Sequence, residues 1–251
     1  MSNKILPIVL HKIVPDLPEA WGDISLDTFD FLLNQVSETL CSYSQDSCAF
    51  NGRFLLTFDD ANYSDYEFVY SKLLAHKKTA IFFVPTNYIG RKGYLSWSNI
   101  IEMSSSGMLF GSHGHNHLNL TRIPFSEAHS ELAKSKDILD QRLGVSTNFF
   151  SFPFGAHNKK TCSLAYKLGY VHLFTSNHGL ASPNSSCFPR NSINSTSTFN
   201  QISAIISCSN KMQIKWIFED LLKSSSRRLI GDQRYKAFRR LIFNSFFSKF
   251  R

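Results

Sequence analysis

The chain has 251 residues, of which 43% are hydrophobic and 18% charged, and carries a formal net charge of +8. That length suits one large domain or two small ones, and that composition supplies a core and excludes disorder over most of the chain. No apolar run approaches the roughly 20 residues of a membrane-spanning helix. Met1-Ser2-Asn3-Lys4 followed by a short apolar stretch makes a poor signal peptide and a good first strand. Cys41, Cys48, Cys162, Cys187 and Cys208 are odd in number and have no CxxC spacing. Without a secretory signal they read as reduced thiols, so a cytoplasmic protein is expected. The charge is unevenly placed: residues 211–251 hold eleven Lys/Arg against three Asp/Glu, and the remainder of the chain is neutral.

Strand-like and helix-like segments alternate along the chain. Ile5–His11 is an apolar strand, and Asp27–Leu40 carries Phe29, Leu32, Leu33, Val36 and Leu40 at helical spacing. Arg53–Phe58 is a strand, Tyr63–His76 a helix and Thr79–Val84 a strand rich in sheet-forming residues. Trp97–Ser105 is helical with Gly107 as a stop, and Met108–Gly111 is a brief strand. Pro124–Leu143 is the clearest helix, with Ser126 as the expected cap and Gly144 as its end. Thr147–Phe152 is a strand, Lys159–Leu168 a helix closed by Gly169, and Tyr170–Thr175 a strand. The Ser/Asn-rich residues 181–200 read as a long loop, with helix from Ile202 onward. At least six β/α alternations in about 200 residues favour an α/β barrel over an open sheet.

Barrel enzymes gather their chemistry where strands end. Asp59 and Asp60 end the strand Leu55-Leu56-Thr57-Phe58, and His113 follows another. Adjacent strand residues point to opposite sides, so one carboxylate can bind a metal while the other faces substrate. The plainer alternative is a helix cap at Asp60, Asn62 or Ser64. His113 and His117, four apart, suit either a helical pair or two ligands beside a loop; Gly114 in place of Glu excludes the zincin pattern. His115 points elsewhere if the other two converge, and is assigned no ligand role. Pro153-Phe154-Gly155 reads by itself as a turn after a strand.

Thr57-Phe58-Asp59-Asp60, then Ser112-His113-x-x-x-His117-x-x-Leu120, then Phe150-x-x-Pro153-Phe154-Gly155, in that order, resemble the polysaccharide deacetylases of the NodB-homology family, carbohydrate esterase family 4. The opening Val9-Leu10-His11 is similar to the branch acting on exopolysaccharide or surface-polysaccharide precursors. The resemblance implies a distorted (β/α)7-type barrel, assigned to residues 1–200; the charge and spacing beyond it read as an α-helical basic C-terminal extension over 201–251. It implies a metal-dependent hydrolase that removes acetyl groups from an N-acetylated glycan or lipid-linked sugar. In that family the first acid is the base and the second a metal ligand. This makes Asp59 the base, and Asp60, His113 and His117 the ligands of a divalent metal, most simply zinc. Phe154 is assigned a backbone N–H in the oxyanion hole, and His11 the general acid, with His172 and His178 as fallbacks. Pro153 and Arg190 are counted as substrate-binding. The chain departs from the family at Ala61, where Gly is usual, and at Ser151, where many members carry an Arg that orients the base; Arg190 is a stand-in for it.

Two other readings carry their own discriminating tests: an O-acetyl esterase with the same metal chemistry, and a catalytically silent carbohydrate-binding barrel. The tail places Tyr235, Phe238, Leu241, Ile242, Phe246 and Phe250 at near-helical spacing among basic residues. That pattern suits either peripheral contact with an anionic membrane or packing on the barrel. No nucleic-acid module accompanies the charge, so no nucleic-acid partner is expected.

Overall fold

The computed structural model describes residues 4–44 and 49–221, and its centre is one sheet of eight parallel strands. In chain order these are β1 (Leu6–Leu10), β6 (Phe54–Asp59), β7 (Ile81–Val84), β8 (Leu109–Ser112), β9 (Phe149–Ser151), β10 (His172–Phe174), β11 (Cys187–Phe188) and β12 (Asn191–Ser192). Two small sheets lie outside it: β2 (Lys12–Val14) with β3 (Asp23–Ser25), and β4 (Ser42–Ser44) with β5 (Ala49–Asn51). The spatial order is β11-β10-β9-β8-β7-β6-β1-β12, so β11 and β12 are opposite edges of the sheet. Only Pro189 and Arg190 separate them in sequence. At about 3.5 Å per residue those two can bridge a gap of about 10 Å. The sheet is therefore curled into a barrel, and Arg190 lies on its seam.

Residues 181–200, expected as a loop, thus contain the two strands that close the barrel. Strands of two residues have no periodicity to betray them, and Pro189 between them reads as a break. β12 is fixed to β1 by Asn191 Nδ2 donating to Pro7 O at 3.0 Å and Ile193 N to Val9 O at 3.2 Å, and across the seam by Asn191 Nδ2 donating to Gly179 O, after β10, at 2.8 Å.

Alternation along the strands sorts side chains into two layers. Leu55, Ile81, Phe83, Phe149, Phe174 and Phe188 fill the barrel interior. Leu6, Ile8, Leu10, Leu56, Phe58, Phe82 and Phe110 face outward against helices. β1 pairs with β6 so that Leu10 lies beside Phe58, and Asp59 pairs with Phe83. The inward register carried past the strand ends therefore includes His11, Asp59, His113 and Ser151.

Helices α1 (Leu26–Val36), α3 (Trp97–Ser105), α4 (Phe125–Leu143), α5 (Lys159–Lys167) and α6 (Phe199–Ser207) pack around the sheet, with α2 (Ser71–Ala75) between α1 and α3. Their starts follow from capping chemistry: Ser25 Oγ accepts from Thr28 N, and Ser96, Asn158 and Thr198 form reciprocal boxes with Asn99, Thr161 and Gln201. Helix α4 differs from expectation, because Pro124 takes the cap position without a side-chain bond and Ser126 lies inside the helix. Gly144 does end it, in the left-handed conformation. Asp65–Tyr70 forms a π-helical turn leading into α2. A last helix covers residues 210–221; the tail residues with the amphipathic pattern lie outside the described part. Among the described residues Cys41, Cys162, Cys187 and Cys208 are free, and burial pushes the Cys41 thiol up to about 12. No described helix is long and apolar enough to cross a membrane.

Gly111 sits where the interior is tightest. A Cβ there would lie 2.6 Å from Phe83 Cε1 and 2.8 Å from Phe149 Cβ. Gly111→Ala is expected to cost about 1–3 kcal/mol by overpacking. A fall of several degrees in the thermal midpoint is the expected reading, and an unchanged midpoint would mean that the interior has room to spare.

Candidate functional site

The chain turns sharply at the end of β6. Asp60 (φ 80°) and Ala61 (φ 57°) both adopt left-handed conformations, at a cost of about 1–2 kcal/mol each for residues bearing a Cβ. The turn separates the two carboxylates. Asp59 continues the inward register and is buried, whereas Asp60 projects from the strand end with its side chain 30% exposed. Ala61 is itself buried and its carbonyl accepts from Leu95 N at 2.9 Å, which helps hold the strained turn.

Arg190 reaches Asp59 from the seam. Its Nη1 donates to Asp59 Oδ1 at 2.7 Å and its Nη2 to Asp59 Oδ2 at 2.8 Å. The remaining donors go to Thr57 Oγ1 (3.2 Å), Ser151 Oγ (2.7 Å) and Thr175 O (3.0 Å). All five guanidinium donors are thereby used, between the rings of Phe83 and Phe174. The side chain has no exposed area, so Arg190, counted from sequence as substrate-binding, is placed beneath the site and not on its surface. Burial alone would raise the Asp59 carboxyl, but Arg190 and then His113 hold it well below the usual carboxylate range.

His113 and His117 sit on the loop after β8, not on a helix. His113 Nδ1 is 2.8 Å from Ser151 O, a contact that fixes the ring and leaves Nε2 directed at the carboxylates. Burial pushes the imidazole from about 6.5 down to about 4, against the pull of Asp59, so it is neutral at pH 7 as a ligand must be. Two donors about 2.1 Å from a tetrahedral cation lie about 3.4 Å apart. Asp60 Oδ1 is 3.6 Å from His113 Nε2 and 3.3 Å from His117 Nε2. This is the one group of three or more metal-binding side chains that converges among the described residues. Asp59 borders it, with Oδ2 3.8 Å from His113 Nε2.

The loop is held from two sides. Thr86 N and Asn87 N donate to Gly114 O and His115 O at 3.1 and 2.9 Å. Beneath it, Glu131 of α4 accepts from Asn116 N at 2.7 Å, His115 N at 3.1 Å and Asn116 Nδ2 at 2.5 Å. Glu131 was overlooked in the sequence, although an acid among Ala128, Leu132 and Leu139 on the buried stripe of α4 is a visible signal. His115 Nδ1 lies 2.8 Å from Thr86 Oγ1, away from the ligand cluster.

Phe154 has φ 60° and sets its ring edge-on against His117 at 4.6 Å. Gly155 has to be glycine, because a Cβ would fall 2.4 Å from Ser176 Cβ and φ is 64°. Pro153 is buried under this turn. His11 follows β1 beside Asp59; its Nδ1 is buried and has no hydrogen-bond partner among the described residues. The fallback histidines are engaged elsewhere: His172 Nδ1 contacts Ser185 O at 2.9 Å inside an aromatic cluster, and His178 binds Asp220. Asp65 was also overlooked. It is fully buried, neither carboxyl oxygen has a partner among the described residues, and burial with the charges of Asp60 and Asp59 raises it well above the usual range.

A family model described as polysaccharide deacetylase matches residues 49–173. YxkH of Bacillus subtilis, named for polysaccharide deacetylation, is 33% identical over 128 residues, 51% of this chain and 46% of that protein. A peptidoglycan-N-acetylglucosamine deacetylase of Bacillus cereus is 30% identical over 104 residues, 40% of this chain and 35% of that protein. The chain thus spans less than half the length of these curated relatives. Among solved structures, the Streptococcus pyogenes deacetylase PplD, in complex with acetate, superposes with a TM-score of 0.73 at 25% identity, covering 82% of this chain and 99% of that one.

Removing one partner from a buried ion pair leaves an uncompensated charge, at about 3–5 kcal/mol. Arg190→Met is expected to lose stability on that scale in denaturant unfolding, and Asp59→Asn together with Arg190→Met is expected to recover part of the loss. A double variant weaker than the single would show that Arg190 acts by packing alone. The His113 shift gives a pH dependence in protein stripped of divalent cations. Because the folded value lies below the unfolded one, this stabilisation is whole above about pH 6.5 and drains as pH falls toward about 4, by about 3 kcal/mol at most. Unfolding midpoints between pH 7 and pH 4.5 should fall more steeply in the parent than in His113→Asn; equal slopes would assign the effect to other groups.

Proposed function

Through residues 49–173 the chain belongs to the polysaccharide deacetylase family, and on that footing we propose that it is a metal-dependent hydrolase of the acetamide of an N-acetylated sugar, in a polysaccharide or its lipid-linked precursor. The observation that carries this reading is the cluster of Asp60, His113 and His117 at cation-binding separations, beside a carboxylate held ionised by Arg190. A divalent cation there, zinc by the match to two imidazoles and a carboxylate, would supply Lewis acidity and acidify water.

The chain's own groups then divide the work. Asp59 takes the proton of the water that attacks the acetyl carbonyl, and its fixed position orients that water. Because Arg190 holds both carboxylate oxygens, the base cannot swing away between turnovers. The backbone N–H of Phe154 donates to the oxygen that gains charge; one such donor is worth about 3–4 kcal/mol. As the C–N bond breaks, His11 gives a proton to the departing nitrogen, leaving acetate and a free amino sugar. Arg190 and Ser151 act through Asp59, and Glu131 acts by holding the histidine loop.

An O-acetyl ester would meet the same groups. The amide is preferred because an amine leaves poorly unless protonated, and His11 at the end of β1 stands in the right register to do this. The retained ligand set argues against a silent barrel. A cytoplasmic setting belongs to the same proposal.

Asp59→Asn is expected to cut acetate release from N-acetylhexosamine oligomers by at least about 1000-fold while leaving the bound metal at one equivalent, since proton transfer and the ionised base are both lost. Loss of the metal in that variant would overturn the division of labour between Asp59 and Asp60. Equal or faster release from O-acetylated sugars in the parent would instead favour the esterase.

A further inference from the structure

The helix over residues 210–221 buries one face and exposes another that is equally apolar. On the inner face Met212 is 8% and Trp216 5% exposed. Trp216 stacks on His178 with an interplanar angle of 4°, and Asp220 accepts from His178 N at 2.8 Å and contacts His178 Nδ1 at 2.8 Å. These contacts fix the rotation of the helix. Roughly half a turn away at 100° per residue, Ile214, Ile217 and Phe218 are 55%, 61% and 62% exposed. A helix apolar on both sides is ordinarily covered on both.

Charge decides what covers it. Lys211 and Lys215 are exposed along one border of the stripe; Lys215 Nζ lies 3.6 Å from Glu219 Oε1, and Glu219 and Asp220 both reach toward His178. The thirty residues that follow carry nine Lys/Arg and a single Asp. A second copy would bring another net +8 against these cations, and the chain's own tail would bring nine more. A phosphate backbone would suit the cations but would not bury Ile217 and Phe218. A surface of anionic lipid satisfies both, with each basic residue near it worth about 1 kcal/mol.

We propose that helix 210–221 seats the protein on an anionic lipid surface through Ile214, Ile217 and Phe218. The helix is anchored to the segment after β10, on the same end of the barrel as Asp59 and Arg190, so the seat lies beside the strand ends that carry the site. This proposal does not rest on the deacetylase reading.

The test is sedimentation of the full chain with phosphatidylcholine vesicles, with and without phosphatidylglycerol. Binding should require phosphatidylglycerol and weaken with salt, and Ile217→Asp with Phe218→Asp should reduce it at least about 10-fold at an unchanged thermal midpoint. Acetate release from a soluble substrate should be unaltered by that change. Equal sedimentation of parent and variant would overturn the proposal, as would absence of binding. A parent that is dimeric, with a monomeric variant, would assign the stripe to a second copy and overturn it too.

Discussion

One buried ion pair organises this molecule. Taking a guanidinium and a carboxylate out of water costs several kcal/mol per ion, and only full use of their hydrogen-bonding capacity offsets that. Arg190 meets the condition with five acceptors, drawn from β6, β9 and the segment after β10. It is also the residue that crosses from one edge of the sheet to the other. Arg190 therefore ties barrel closure to the setting of Asp59, because the residue that spans the seam also holds both carboxylate oxygens.

The pair constrains the chemistry as well. A carboxylate held below its usual range is a weak base, so in the proposed role Asp59 would need a donor made more acidic than bulk water. That need ties Asp59 to the adjacent group of Asp60, His113 and His117. Placing two neighbouring acids in such different settings takes two successive left-handed residues. The strain is retained because β6, the buried Ala61 and the Leu95 bond hold the turn from both sides. The His113 ring is set in turn by the carbonyl of Ser151, whose hydroxyl touches the ion pair. The residue standing in place of the family's usual arginine thus serves both halves of the site.

Much of this was legible in the sequence. Asp59 and Asp60 at the end of an apolar strand, and His113 and His117 after a glycine, announce themselves by residue type and position. Helix α1 follows from its apolar spacing, and the major strands from apolar runs of sheet-forming residues. What was not legible depended on contacts distant in sequence. β11 and β12 are too short to carry a pattern, and their role appears only when both edges of the sheet are known. Arg190 could be suspected as a substitute for a missing arginine, but its burial depends on barrel closure. Pro153 was counted as substrate-binding beside a turn matched to the family motif, and its burial next to Gly114 depends on how that turn folds under the histidine loop. Glu131 had a visible signal in its place on the buried stripe of α4, whereas Asp65 lies in an irregular π-helical turn that sequence spacing does not reveal.

The account turns on a cation held by Asp60, His113 and His117 while Asp59 stays outside its coordination shell, ionised and bound to Arg190. Anomalous diffraction at the zinc edge from crystals of the metal-loaded protein tests this most directly. The account predicts one peak, within about 2.2 Å of Asp60 Oδ1, His113 Nε2 and His117 Nε2, with both Asp59 oxygens still on Arg190. A peak ligated by Asp59, or an Asp59 released from Arg190 on metal binding, would contradict it.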